Sequence, residues 1–238
     1  MGAVFALSLR QRAGKWRLSL VLLLALLPII MTVIIRLVGA EFPEEFLEVM
    51  LDGMFVSAIV LVVTMTLATS AFGNEVEDRT LSYLALKPLP RSHIVLPKMM
   101  ASVAVVGPPL IASGLVVVVV ALEGRLGMGL AVGAGLAAAA VAYSAIFTRA
   151  GLVTSHALGF ALVYVFLWEG VIARFATGVS YLSVRSYALA IMHGVDETGL
   201  SALEDTAIEL PAAIGGAIVV TVGFLWLTVR RLQRMDVP

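Results

Sequence analysis

Asn74-Glu75-Val76-Glu77-Asp78-Arg79-Thr80-Leu81-Ser82-Tyr83-Leu84-Ala85-Leu86-Lys87-Pro88-Leu89-Pro90-Arg91-Ser92-His93-Ile94-Val95-Leu96-Pro97-Lys98 is a charged island between two long apolar runs, 49–72 and 94–122. A helix needs about 20 mostly apolar residues to cross a bilayer, and both runs meet that length. Four more stretches pass the same test: 18–35, 126–147, 151–175 and 207–229. The whole chain of 238 residues is 61% hydrophobic and 13% charged, with mean hydropathy +1.03. Soluble domains carry about 25% charged residues, so half that fraction does not coat a water-facing surface. The expectation is an all-α membrane protein of six spans, forming a single domain over 1–238.

Basic residues set the orientation, because Lys and Arg concentrate on the cytoplasmic side. With six crossings the N-tail, the 73–93 loop, the 148–150 turn and the C-tail share one side, and with Lys98 just inside the third span twelve of the 16 Lys and Arg fall there. The opposite side is acidic, with Glu41, Glu44, Glu45 and Glu48 in its first loop and Asp196, Glu197, Glu204 and Asp205 in its last. Both termini are therefore expected in the cytoplasm. The first apolar run is longer than the usual core of a cleaved signal peptide and reads as a retained anchor. Residues 2–15 mix apolar and basic positions and read as a short helix along the inner membrane surface. The absence of Cys excludes a disulfide framework and thiolate metal sites. No Lys/Arg block points to nucleic acid.

Within the island, Asn74 followed by Glu77 reads as a helix N-cap with a capping-box partner. Glu75, Glu77 and Asp78 then occupy the first turn, where the helix dipole favours negative charge. Leu81, Leu84 and Ala85 repeat at helical spacing, and Pro88 ends the helix at Lys87. The reading is a cytoplasmic helix of about three turns, with Thr80, Leu81, Tyr83 and Leu84 between acidic and basic ends. The bland alternative is a solvated turn whose Tyr and Leu lie on lipid headgroups.

Elsewhere, Pro108-Pro109 in the third span predicts a kink or break, since proline lacks the amide donor and crowds the preceding turn. Gly129, Gly133, Gly127 and Gly135 in the fourth span allow close helix approach, read here as packing within the chain. Asp52 and Glu169 sit near the outer ends of their spans, where an ionisable group is a candidate for a pathway or gate. The long segment 176–206 contains 184–192, which reads as a short helix lying at or dipping into the outer surface; Tyr181 and Arg185 lie in that segment and join Asp52 and Glu169 as candidate outer-gate residues. Thr154, Ser155 and His156 form a polar cluster at the inner start of the fifth span.

The pattern Glu75, Glu77, Thr80, Leu81, Leu84, Pro88, Arg91, Ile94, Val95 and Lys98, placed after the second of six spans, resembles the cytoplasmic segment of type-2 ABC transporter permeases. Tyr164–Gly170 and Tyr181–Tyr187 are similar to the fifth span and outer loop of bacterial members. One position departs from the family pattern, with Pro97 where Gly commonly precedes the Lys. The resemblance implies a transmembrane subunit whose cytoplasmic coupling helix sits in a cleft of an ATP-hydrolysing subunit, probing it with Glu75, Glu77, Asp78, Arg79, Thr80, Leu81, Tyr83, Leu84, Pro88 and Arg91. It also implies two permease copies in the cytoplasmic (inner) membrane, export as the direction, and an outer cap formed near residues 176–206.

The chain has no Gly-x-x-x-x-Gly-Lys-Ser/Thr phosphate loop, so ATP and Mg would belong to the partner and no cofactor to this chain. Two other functions compete with this one. A membrane anchor that couples an ATPase to a task other than transport, such as maturation of a periplasmic factor, fits the same residues. An intramembrane enzyme needs a nucleophile and base within reach, whereas Ser155 and His156 point about 100° apart on a helix.

Overall fold

The computed structural model describes residues 2–39, 42, 46–78, 90–122, 126–154, 156–164, 167–168, 180–203 and 208–234. Its main elements are α1 (Gly2–Arg12), α2 (Lys15–Val38), α3 (Phe46–Glu77), α4 (Ser92–Leu122), α5 (Leu126–Val153), α6 (Ala157–Tyr164), α7 (Val184–Val195) and α8 (Leu210–Gln233). Every regular element among the described residues is helical, and the chain is a multi-pass, all-α membrane protein. The lipid-facing surface is plain in α2 and α8. Leu22, Leu23, Leu26 and Ile34 on one, and Ile218, Val219, Val222 and Trp226 on the other, are exposed. A water-soluble monomer does not carry apolar patches of that extent.

Five of the six expected spans appear among the described residues: α2, α3, α4, α5 and α8 are long and apolar enough to cross a membrane. The boundary between the fourth and fifth expected spans is displaced. Thr148, Arg149 and Ala150, read from sequence as a turn, are the penultimate turn of α5, which runs on to Val153. Nothing in those residues stops a helix, and Arg149 reaches out to donate to the Leu227 carbonyl of α8 at 3.1 Å. The turn falls instead at Thr154, whose hydroxyl accepts from the His156 amide at 3.1 Å. Beyond that turn, the described part of the fifth expected span is the eight-residue α6, followed by Leu167 and Trp168.

Two other expectations are revised. No N-cap forms at Asn74: α3 passes through it to Glu77, and the Asp78 amide donates to the Asn74 carbonyl at 2.8 Å. The acidic residues therefore sit at a helix C-terminus, where the dipole opposes them. Nor is the third span broken at Pro108-Pro109, because α4 is continuous over 31 residues and carries Pro97, Pro108 and Pro109 within it. Helices packed on either side tolerate the missing donors.

Helix α5 is the axis of the bundle. Its Met128, Val132, Leu136, Ala139, Tyr143 and Phe147 are buried, and α3, α4, α7 and α8 all pack on it. Its small residues make that possible. A Cβ on Gly129 would fall 2.9 Å from the Leu115 side chain, one on Gly135 would fall 2.6 Å from the Ala188 carbonyl oxygen, and one on Gly151 would fall 2.1 Å from the Thr69 carbonyl oxygen. The glycine spacing thus serves contacts inside the chain.

The bundle has two distinct ends. At one, Ala71, Phe72, Ile94, Val95, Leu152 and Leu232 form a small core joining the ends of α3, α5 and α8 to the start of α4. Arg12, Lys98 and Arg149 lie there, so this is the basic end. At the other, Phe46 and Met50 pack against Ala121. Helix α7 belongs to this second end and is not superficial: Val184, Tyr187, Ala188, Leu189, Ile191 and Met192 are buried against α5 and α8. Ser183 caps it by accepting from the Ser186 amide at 3.3 Å. The chain therefore passes from the basic end to the far end between Val153 and Ser183.

Candidate functional site

The island's two stems are described, and its centre is not. Glu75 and Glu77 lie in the last turn of α3, Asp78 follows it, and Arg91 stands at the threshold of α4. Arg79, Thr80, Leu81, Tyr83, Leu84 and Pro88 fall outside the described residues, as does the expected coupling helix that contains them.

The stems are tied together by a charged clamp. The Lys98 ammonium, on a side chain only 6% exposed, ion-pairs with both carboxylate oxygens of Glu75. It also donates to the Ala71 carbonyl at 2.7 Å and lies 4.4 Å from the centre of the Phe72 ring. The Ala71 carbonyl lies nearly two turns before the end of α3, so the cation sits against the C-terminal part of that helix, where positive charge is favoured. Lys98 thereby offsets the acidic cluster that the dipole of α3 opposes, which explains how a helix can continue into Glu75 and Glu77. Helix α1 joins from the other side. Its Arg12, buried, donates to the Lys98 carbonyl and to the Ser102 hydroxyl, the latter at 2.6 Å.

Burial pulls the Arg12 guanidinium down from its ordinary range to about 10, with Glu75 opposing that shift and Arg17 adding to it. It remains cationic at neutral pH. Helix α1 packs on α4 and is strapped to it by the buried Arg12, while its Leu7 is 60% exposed. Sequence reasoning did not single out this clamp. The visible sign was Lys98 itself, a charge inside an otherwise apolar span.

At the far end the structure brings together two of the four candidate gate residues. Arg185, in the first turn of α7, makes a bidentate ion pair with Asp52 of α3. Asp52 belongs to a π-wound stretch, Val49–Val60, whose i→i+5 pattern sets Ser57 one turn along, and the Ser57 hydroxyl donates to Asp52 at 3.2 Å. Tyr181 is not part of this pair. Its carbonyl accepts from the Tyr187 hydroxyl, which anchors the segment leading into α7. Glu169 lies outside the described residues.

The two ion pairs share one rod. Helix α3 carries Asp52 near its start and Glu75 near its end, so it links the clamp at the basic end to α7 at the other. No family model matches the chain, and no curated protein matches it.

Proposed function

We propose that the chain is the transmembrane subunit of an ATP-driven transporter of the type-2 ABC permease kind, working as an exporter with a separate ATPase docked on residues 74–91. The carrying observation is the clamp: Lys98, Glu75 and Arg12 join the stems of the island to α1. A force applied to residues 79–89 would enter α3 and α4 together rather than bend one loop. Because α3 also holds Arg185 of α7 through Asp52, its tilt would move the far-end helix, which suits an outer gate.

In this reading the passage between Val153 and Ser183 is a sixth crossing, both termini are cytoplasmic, and the membrane is the inner one. Two copies flank the pathway, and ATP and Mg reside on the partner. The chain itself contributes no ATP chemistry. Apolar anchors set among charges are what a transient docking helix needs, the former for affinity and the latter for partner choice.

The double substitution Leu81→Asp and Leu84→Asp tests this. Burying even one carboxylate in an apolar cleft costs several kcal/mol, on the order of a thousandfold in affinity. The ATP-hydrolysing subunit that co-purifies with the wild type should be lost from the variant, while the variant inserts in the membrane as before. Undiminished recovery of that subunit defeats the proposal.

A further inference from the structure

At the basic end, α5, α6 and α8 surround a cavity of about 510 Å³. Phe147, Val153, Ala161 and Phe224 give it apolar walls, and Arg149 and Thr154 are its polar members. Its size falls within the usual range for small-molecule pockets, about 300–1,000 Å³.

The charged residues described around it are cationic. Arg149 holds the Leu227 carbonyl, Arg231 is close enough for the two guanidinium charges to repel, and Arg230 lies over the Trp226 ring at 4.8 Å. Among the described residues no carboxylate ion-pairs with Arg149, Arg230 or Arg231. Trp226 is exposed on the lipid-facing side of α8 and sits one turn before Arg230. A tryptophan followed by arginines marks the headgroup level of a bilayer. The cavity therefore opens beneath a cationic rim at that level.

We infer that this cavity is a binding site for an anionic phospholipid of the surrounding bilayer. Its acyl chain fills the space between α5, α6 and α8, and its phosphate takes the donors of Arg149 and Arg231. The occupant follows from charge complementarity. A zwitterionic lipid brings its own cation to the rim, whereas an anionic one neutralises Arg149 and Arg231. The site needs no ATPase, so it stands or falls apart from the function proposed above.

Native mass spectrometry of the full chain released from nanodiscs tests this. The discs hold equal amounts of phosphatidylglycerol and phosphatidylcholine of matched chain length. Wild type should retain phosphatidylglycerol in clear excess. Arg149→Gln with Arg231→Gln should cut that enrichment by about thirtyfold, as expected for removing two cations at the headgroup level. Arg149→Lys with Arg231→Lys should keep most of it, separating charge from damage to the fold. Val153→Phe, at a position already half exposed, should lower phosphatidylglycerol retention by occupying the chain's space. Equal retention of both lipids by wild type overturns the site. So does enrichment that survives the double Gln variant, retention unaffected by Val153→Phe, or displacement of the lipid by millimolar inorganic phosphate.

Discussion

Lys98→Met is expected to lower stability by about 3–5 kcal/mol, the usual cost of removing one partner from a buried ion pair. Methionine retains the apolar stem, so packing against Phe72 largely survives. Lost are the ion pair to Glu75, the bond to the Ala71 carbonyl and the cation over the ring. Glu75 is then left beside a helix C-terminus that repels it. Its side chain is 24% exposed, which places the loss toward the lower end of that range. Adding Glu75→Gln should restore most of the difference, because the stranded charge is the main penalty and the two sites are in contact. Denaturant titration of the detergent-solubilised protein reads both. Equal stability of the single and double variants would show that the pair is solvated and does not brace the island.

Gly151→Val should disrupt the crossing of α3 and α5. The first added carbon meets the Thr69 carbonyl oxygen at 2.1 Å, the Thr69 carbonyl carbon at 2.9 Å and its Cα at 3.1 Å. These are backbone atoms and cannot rotate aside. The helices must separate, and overpacking of a well-filled core costs about 1–3 kcal/mol or more. Gly223→Ala is the matched comparison, since nothing lies within 4 Å of a Cβ there. That change should be neutral or stabilise by about 0.5–1 kcal/mol through helix propensity. Thermal unfolding of the two variants side by side checks the contrast. If Gly151→Val unfolds no earlier than Gly223→Ala, α3 and α5 do not cross as closely as described.

Much of the helical framework was legible in the sequence because apolar length is a strong indicator. The runs 18–35, 94–122 and 207–229 reappear within a few residues as α2, α4 and α8. The small residues of α5 also read correctly, as contacts within the chain. What escaped was decided by tertiary partners. Asn74 and Glu77 look like a cap because a single sequence does not show Lys98 folding back beneath Ala71 to let α3 continue. Thr148-Arg149 looks like a turn because the Leu227 carbonyl that receives Arg149 lies 78 residues away. Asp52 was a candidate by its depth alone, and its partner Arg185 is separated from it by 133 positions. The π winding of Val49–Val60 leaves no periodicity that sets it apart from an ordinary apolar helix.

The proposed function turns on residues 79–89, between the clamped ends of α3 and α4, being held by an ATP-hydrolysing subunit. Photo-crosslinking residues introduced singly at Leu81, Tyr83 and Leu84, in cells that produce that subunit in excess, test it most directly. The account predicts covalent capture of the ATPase at all three positions, with yields that change when ATP is withheld. Capture of phospholipid alone at those positions would contradict it.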